Sequence, residues 1–142
     1  MKKNDGYRKI TLIVLMVVMM LFTGCGGFKY SFTMVGDNTK IEVNAKDGDY
    51  AESSYFSVGR NSQITVEPQL DKGSMKIEFA EATVFMTDSD SSNDVIIGNV
   101  VTTVTVKDKE KAVVTLPEGD YVLLVTAIGS TKGTVEIKVN NN

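Results

Sequence analysis

The sequence predicts an all-β protein: one β-sandwich or jelly-roll domain of about 8–10 strands, preceded by a signal-peptide helix. Behind Cys25, apolar and polar residues alternate with a period of two, which is the period of a half-buried strand. Clusters of Gly, Asn, Asp and Pro interrupt this alternation every ~8–12 residues, and no window of helical period follows Cys25. Short strands at such spacing are typical of β-sandwiches.

The N-terminal segment has the order of a secretory signal peptide. Basic residues at Lys2, Lys3, Arg8 and Lys9 precede an apolar run over residues 10–22. Thirteen helical residues span about 20 Å, which is shorter than the ~30 Å hydrocarbon core of a bilayer. The run is therefore interpreted as a short signal segment and not as a transmembrane helix.

The end of this run resembles the lipobox of bacterial lipoproteins, with Thr23 and Gly24 directly before Cys25. Phe22 departs from the aliphatic residue that the family prefers at its position. The resemblance implies that Cys25 carries a diacylglyceryl group and becomes the first residue of the mature chain. The alternative is an ordinary signal peptide followed by an unmodified cysteine.

These features predict a domain organisation and a location. Residues 1–24 form the lipoprotein signal peptide, 25–27 the lipidated Cys and a short Gly tether, and 28–142 the β-sandwich domain. Two acyl chains hold a protein stably on a membrane, so we expect a lipid-anchored protein on the extracytoplasmic face of the cell membrane. Only Gly26 and Gly27 separate the lipid from the first strand, so the domain should stand close to the bilayer.

Composition excludes several classes of function. Cleavage before Cys25 removes four basic residues from 15 and one acidic residue from 18, which leaves 11 and 17 and a net charge of −6. An acidic domain of this kind is not expected to bind nucleic acid. The chain has no His, no Trp and only one Cys, so His-based catalysis, His or Cys metal sites and disulfides are excluded once Cys25 is acylated.

The alternation places the strands in order along the chain. The predicted strands lie at residues 28–34, 40–44, 51–58, 63–67, 75–79, 83–87, 95–106, 112–116, 121–128 and 135–139. The predicted connections lie at residues 36–38, 47–49, 59–61, 68–73, 88–94, 108–110, 116–119 and 129–133. Gly98 and Asn99 either divide the long Val- and Thr-rich strand or form a bulge in it.

Two of these strands should supply the centre of the core. Met75, Ile77 and Phe79 share one face, and the segment 121–128 is apolar on both faces, which indicates a strand covered on both sides. We therefore expect these three side chains, together with Leu123 and Val125, to be buried.

The C-terminal part, 113–139, is similar to the ends of extracellular β-sandwich modules such as the bacterial pre-peptidase C-terminal domain. The likeness rests on a turn with Leu116, Pro117, Gly119 and Tyr121, followed by a closing hairpin, and it implies the fold only. A Tyr just after a turn Gly either contacts a ligand or hydrogen-bonds a nearby backbone group, as in a tyrosine corner. We favour the second interpretation.

The longest polar loop is the main candidate metal site. Asp88, Asp90, Asn93 and Asp94 offer the side-chain oxygens that Ca²⁺ prefers, although their spacing does not match an EF-hand loop. A solvated acidic loop is the simpler interpretation, and no cofactor other than calcium is expected.

A second acidic turn contains Asp47, Asp49 and Glu52 beside Tyr50, and the same two interpretations apply to it. Three further residues with possible ligand atoms, Met34, Met75 and Met86, stand at strand positions and are interpreted as core fillers.

The resulting functional hypothesis is a membrane-anchored extracytoplasmic lipoprotein with a binding or structural role and an unknown protein or glycan partner. One alternative is a calcium-dependent carbohydrate- or protein-binding module, and another is a hydrolase of unrecognised type, although no catalytic residues can be named. A ligand surface is expected at the end of the sandwich farthest from the anchor, where the turns 36–38 and 59–61 should meet.

Overall fold

The computed structural model describes residues 29–86 and 93–140, with the side chains of Met86 and Asn93 left out. The predicted signal peptide, Cys25 and the Gly tether lie outside the described residues, as do Asp88 and Asp90. Within the described ranges every regular element is a β-strand, which confirms the all-β prediction. In that part of the chain, no helix is long and apolar enough to cross a membrane.

Eight strands form the described part of the domain. They are β1 (Tyr30–Val35), β2 (Asn38–Ala45), β3 (Tyr50–Glu52), β4 (Phe56–Val58), β5 (Gln63–Met86), β6 (Asn93–Lys107), β7 (Ala112–Thr115) and β8 (Gly119–Asn140). Their order in the sheet is β1-β2-β8-β5-β6, with β3 and β4 paired to β8 and β7 paired to β5. All pairs are antiparallel.

The sheet folds over on itself because β5 and β8 run through both of its halves. The first half of β5 and the last half of β8 pair with each other, β7 and β2, whereas their other halves pair with each other, β6, β3 and β4. One buried cluster contains side chains from both halves, such as Ile41 and Val66 from the first and Phe79 and Leu123 from the second. The two halves are therefore the layers of a sandwich.

The corner between the layers corrects two predicted connections. Residues 68–73 and 129–133 were expected to be loops, but both lie within continuous strands. The pairing of β5 with β8 shifts register twice between Leu70 and Ser74, and Gly73 and Gly133 adopt φ values of +76° and +146°. Gly readily adopts positive φ values, which occur both in turns and at sharp bends of a continuous strand. The same residue types are therefore found at both kinds of site.

Pro68 fits within β5 because the pairing to β7 has already ended at Val66. At this position the strand has an open side, where the missing N–H of proline costs no ladder hydrogen bond.

The hydrophobic core contains the five side chains that the sequence predicted to be buried. Met75, Ile77, Phe79, Leu123 and Val125 are all fully buried, as predicted. The 121–128 segment is also central as expected, since it pairs with β5 on one side and with β3 and β4 on the other.

Three smaller predictions are also resolved. The expected strand 51–58 is divided into β3 and β4, and the expected separate strand 83–87 is the end of β5. Gly98 and Asn99 lie where the register between β5 and β6 shifts, so they belong to a bulge and not to a break.

The sandwich has two distinct ends. The N-terminal end contains the start of β1 and the 46–49 turn, where the Lys29 ammonium lies 3.3 Å from an Asp49 carboxylate oxygen and the Tyr30 hydroxyl donates to the Asp49 carbonyl. The far end contains the turns at residues 36–37, 59–62 and 116–118, because β1, β4 and β7 all run toward it.

Candidate functional site

One depression in the described surface lies beside Tyr55 and is called here the Tyr55 groove. It has a volume of about 280 Å³. Its lining combines the segment that connects β3 to β4 with one residue of β8 and two of β6: Glu52, Ser53, Ser54, Tyr55, Val95, Ile97 and Val122. The groove thus has apolar aliphatic surface beside hydroxyl groups and one carboxylate.

A second depression of about 290 Å³ lies on the other side of Tyr55, toward the far end of the sandwich. It is lined by the β1–β2 turn, the start of β4 and the end of β8: Met34, Gly36, Asp37, Thr39, Tyr55, Phe56, Ser57 and Val139. Tyr55 therefore forms a ridge between the two depressions, and both depressions lie at a distance from the N-terminal end of the sandwich.

The segment that carries Tyr55 is held by hydrogen bonds from Ser53 and Ser54. The Ser53 N–H donates to the Leu123 carbonyl, and the Leu123 N–H donates to Ser53 Oγ, each at 2.9 Å. Ser54 Oγ donates to Met34 Sδ in the other layer at 2.9 Å. These bonds fix the segment between the two layers, although it is not a strand.

The floor of the groove explains why β8 is apolar on both faces. Val122 is almost fully buried, yet it does not belong to the core cluster formed by its neighbours Tyr121 and Leu123. Neighbouring residues of a strand point to opposite faces of the sheet, so Val122 lies on the outer face. The sequence predicted that this segment of β8 is covered on both faces. It contained no signal for a site at Tyr55, which was placed only within the predicted strand 51–58.

Near the groove, Tyr50 and Glu52 form a short polar pair. The Tyr50 hydroxyl donates to Glu52 Oε1 at 2.7 Å. Desolvation, followed by this bond and the charge of Glu52, raises the pKa of Tyr50 to about 12. Tyr50 is therefore a neutral hydrogen-bond donor at physiological pH, and half of its surface is exposed.

The predicted calcium loop is only partly described. Asp88 and Asp90 lie outside the described residues, and Asn93 begins β6. Asp94 is exposed on β6 opposite Phe85. Among residues 29–86 and 93–140, no group of three or more His, Cys, Asp or Glu side chains is arranged to hold a metal ion.

The second acidic turn has structural partners for each carboxylate. Asp47 accepts a hydrogen bond from the Gly129 N–H at 2.7 Å, and Glu52 accepts the one from Tyr50. Asp49 accepts from the Lys46 N–H at 2.9 Å and also contacts the Lys29 ammonium, and the Lys46 bond is the main cause of its lowered pKa. These carboxylates stabilise the N-terminal end of the sandwich.

The interpretation of Tyr121 is confirmed. Its ring is buried in the core, and its hydroxyl donates to the Pro117 carbonyl four residues earlier at 2.7 Å. Met75 is a core filler as predicted, whereas Met34 is half-buried and accepts the hydrogen bond from Ser54. The side chain of Met86 is outside the description.

Comparison with known proteins gives distant structural similarity only. No protein-family model and no curated protein matches the chain. The chain is similar to a carbohydrate-binding module described as CBM4, at 10% identity and a TM-score of 0.40, over 78% of this chain and 73% of that chain.

Two further solved structures are similar at the same level. A carbohydrate-binding module of Cellvibrio mixtus lichenase 5A, in complex with cellotriose, is 15% identical over 84% of this chain and 91% of that chain, with a TM-score of 0.38. The Drosophila melanogaster CENP-C cupin domain is 9% identical over 79% and 71%, with a TM-score of 0.32. Similarity this distant says nothing about a ligand.

Proposed function

We propose that this chain is a lipid-anchored extracytoplasmic binding protein that holds its ligand in the Tyr55 groove. The observation that carries the proposal is the position of this groove. It is walled by an aromatic ring, floored by the aliphatic side chains of Val122 and Ile97, and separated from the end where β1 begins. A concave, mostly apolar surface with a few convergent polar groups is the usual form of a binding site.

Support for the anchor comes from the sequence and from the start of the domain. The chain's one Cys stands directly behind the apolar run, where lipid transfer requires it. At Lys29 and Tyr30, contacts to Asp49 fix the start of β1 to the body of the domain. Because so few residues separate Cys25 from these contacts, the N-terminal end lies toward the membrane, and the groove opens on a side face of the sandwich at a distance from that end.

The lining indicates the chemistry of the ligand. Aliphatic and aromatic surface favours a ligand with an apolar face, and the hydroxyls of Ser53, Ser54 and Tyr55 beside it suit hydroxyl or amide groups. The carboxylate of Glu52 and the acidic mature domain disfavour an anion. A neutral glycan or an uncharged peptide segment fits these requirements.

Binding to arrays of neutral oligosaccharides and uncharged peptides, followed by titration of the hits, tests this assignment. Tyr55→Ser removes the ridge and should weaken binding by about tenfold or more, as expected for a central aromatic contact. Phe85→Ser is the control, because Phe85 is an exposed aromatic residue that does not line the groove. Equal effects of the two substitutions would contradict the proposed site.

The alternative function, a calcium-dependent carbohydrate- or protein-binding module, makes a different prediction. Ca²⁺ would then be required for binding, and chelation would abolish it. Asp88→Asn and Asp90→Asn would have the same effect as chelation. In the groove proposal, chelation leaves binding unchanged, since no carboxylate other than Glu52 lines the site.

A further inference from the structure

The second depression beside Tyr55 has no role in the function proposed above. Its lining combines the β1–β2 turn and the end of β8, which belong to the first layer, with the start of β4, which belongs to the second. Tyr55 lines this depression and the Tyr55 groove alike. The two depressions therefore share one wall and are neighbours on the surface.

The sizes of the two depressions favour a joint site. Their volumes, about 280 and 290 Å³, each lie just below the range of ~300–1,000 Å³ that is usual for ligand pockets. Together they provide about 570 Å³, which is well within that range. The continuous segment 52–57 lines both depressions and spans at most ~18 Å. A ligand that contacts both is therefore an elongated molecule and not a single small ring.

The walls of the second depression are fixed by contacts within the domain. Phe56 packs against the buried core, and the hydrogen bond from Ser54 to Met34 joins the two layers beside it. Ser57 Oγ donates to Asp120 at 2.6 Å, and its oxygen can still accept a hydrogen bond from a ligand. Because these groups are already in place, binding there costs little ordering of the protein.

The polar groups of the two linings select the ligand. Glu52 in the groove and Asp37 in the second depression only accept hydrogen bonds when ionised, and none of the described residues that line either depression is Lys or Arg. The matching ligand is rich in donors and has apolar faces that can lie against Tyr55 and Phe56. Each unit of a neutral oligosaccharide has several hydroxyl donors, whereas a residue of an uncharged peptide has one backbone N–H.

We propose that the Tyr55 groove and the second depression are two subsites for one linear neutral oligosaccharide, which crosses the Tyr55 ring between them. This inference rests on the proposed function, because it extends the ligand of the groove across the ridge. The second contact is made within the same molecule as the first. A chain that is long enough to fill both subsites therefore binds more tightly than a chain that fills only one.

Calorimetric titration of the full chain in detergent tests the proposal. The probes are neutral linear oligosaccharides of glucose, galactose, mannose, xylose or N-acetylglucosamine, each from the monosaccharide to the hexasaccharide, with uncharged peptides for comparison. For at least one series, we expect the affinity to rise by about tenfold or more at the length that reaches the second depression. The affinity should then stay constant for longer chains.

Three substitutions locate the two subsites. Ser57→Trp fills the second depression and should lower the affinity for long chains to that for short chains. Val95→Trp fills the Tyr55 groove and should weaken the binding of chains of every length. Val113→Trp is the control, because Val113 is exposed on β7 and lines neither depression.

The outcomes separate this inference from the proposed function. An affinity that does not rise with chain length, or a Ser57→Trp variant that binds like Val113→Trp, overturns the joint site, and a loss in Val95→Trp then still supports the groove. Binding of uncharged peptides without any oligosaccharide overturns the glycan assignment and keeps the groove. If no probe binds, or if Val95→Trp binds like Val113→Trp, both the inference and the proposed function are wrong.

Discussion

At the scale of single residues, Tyr121 joins the core to the turn that precedes it. Its ring lies among the buried side chains, and its hydroxyl donates to the Pro117 carbonyl at 2.7 Å. Desolvation raises its pKa, so the hydroxyl remains a donor throughout the physiological range. One hydrogen bond of this type contributes about 0.5–1.5 kcal/mol to stability.

Tyr121→Phe should therefore lower the free energy of unfolding by about 1 kcal/mol, since it removes the hydroxyl and keeps the ring. Urea denaturation followed by circular dichroism measures this change. Tyr50→Phe is the control, because its hydroxyl bonds Glu52 on the exposed surface and its loss should cost less. If both substitutions have the same cost, the corner bond has no special role.

Phe79 tests the position of the core. It is fully buried in the strand that both layers share. Phe79→Ala should cost roughly 3–5 kcal/mol of unfolding free energy, the usual range for removal of a buried Phe. Val113→Ala, at an exposed position, should change it by less than about 0.5 kcal/mol. A loss below about 1 kcal/mol for Phe79→Ala would show that the core is wrongly assigned.

At the scale of elements, the corner of β5 and β8 depends on glycine. A Cβ on Gly133 would overlap the Gln69 carbonyl oxygen, and its φ of +146° disfavours any side chain. Gly36 also has a positive φ, of +60°, but nothing lies within 4 Å of its Cβ position. A side chain at Gly36 therefore meets backbone strain alone, whereas a side chain at Gly133 meets backbone strain and the close packing of β5 against β8.

Gly133→Ala should destabilise the fold by at least about 3 kcal/mol, because strain and overlap act together. Gly36→Ala should cost about 1 kcal/mol, because only the left-handed backbone opposes it. Thermal and urea unfolding of the two variants provide the comparison. Equal stability losses would mean that the corner tolerates a side chain and is not tightly packed.

The same elements show what the sequence alone could predict. Period-two alternation identified almost every strand, and the doubly apolar segment 121–128 identified the centre of the sheet. The corner was not predictable, since a Gly-rich polar cluster has the same composition in a hairpin loop and in a bent strand. Tyr55 was missed because its position depends on contacts of Ser53 and Ser54 with residues distant in the chain.

At the scale of the whole molecule, ion pairs on the outer surface of the first layer link stability to pH. Glu67 lies 2.8 Å from the Lys138 ammonium and 3.3 Å from that of Lys111. The hydrogen bond from Lys138 is the main cause of the lowered pKa of Glu67, and Asp49 has a lowered pKa through the Lys46 N–H. A folded-state pKa below the unfolded value favours the folded state only when the carboxyl is ionised.

The free energy of unfolding should therefore fall as the pH drops through and below the ordinary values of 4.5 for Glu and 3.8 for Asp. Glu67→Gln should reduce this dependence on pH. Glu110→Gln, in the exposed turn before β7, is the control. Urea unfolding at several pH values between about 3 and 7 measures the slope, and an unchanged slope in Glu67→Gln would contradict the assignment.

The orientation on the membrane gives a further prediction for the whole molecule. A flexible linker of about twenty residues inserted after Gly27 lengthens the tether well beyond its present reach. If the ligand surface faces away from the membrane, binding on intact cells should not change. A sharp increase in binding would show that the functional surface lies near the bilayer.

The lipid anchor and the orientation on the membrane both depend on Cys25, and intact mass measurement of the mature N-terminus in membrane extracts tests them. We expect a chain that begins at Cys25 and carries a diacylglyceryl group, found in the membrane pellet, with Cys25→Ser moving it to the unprocessed or secreted fraction. A mature N-terminus without acyl mass, together with unchanged fractionation of Cys25→Ser, would contradict the lipid anchor and the orientation derived from it.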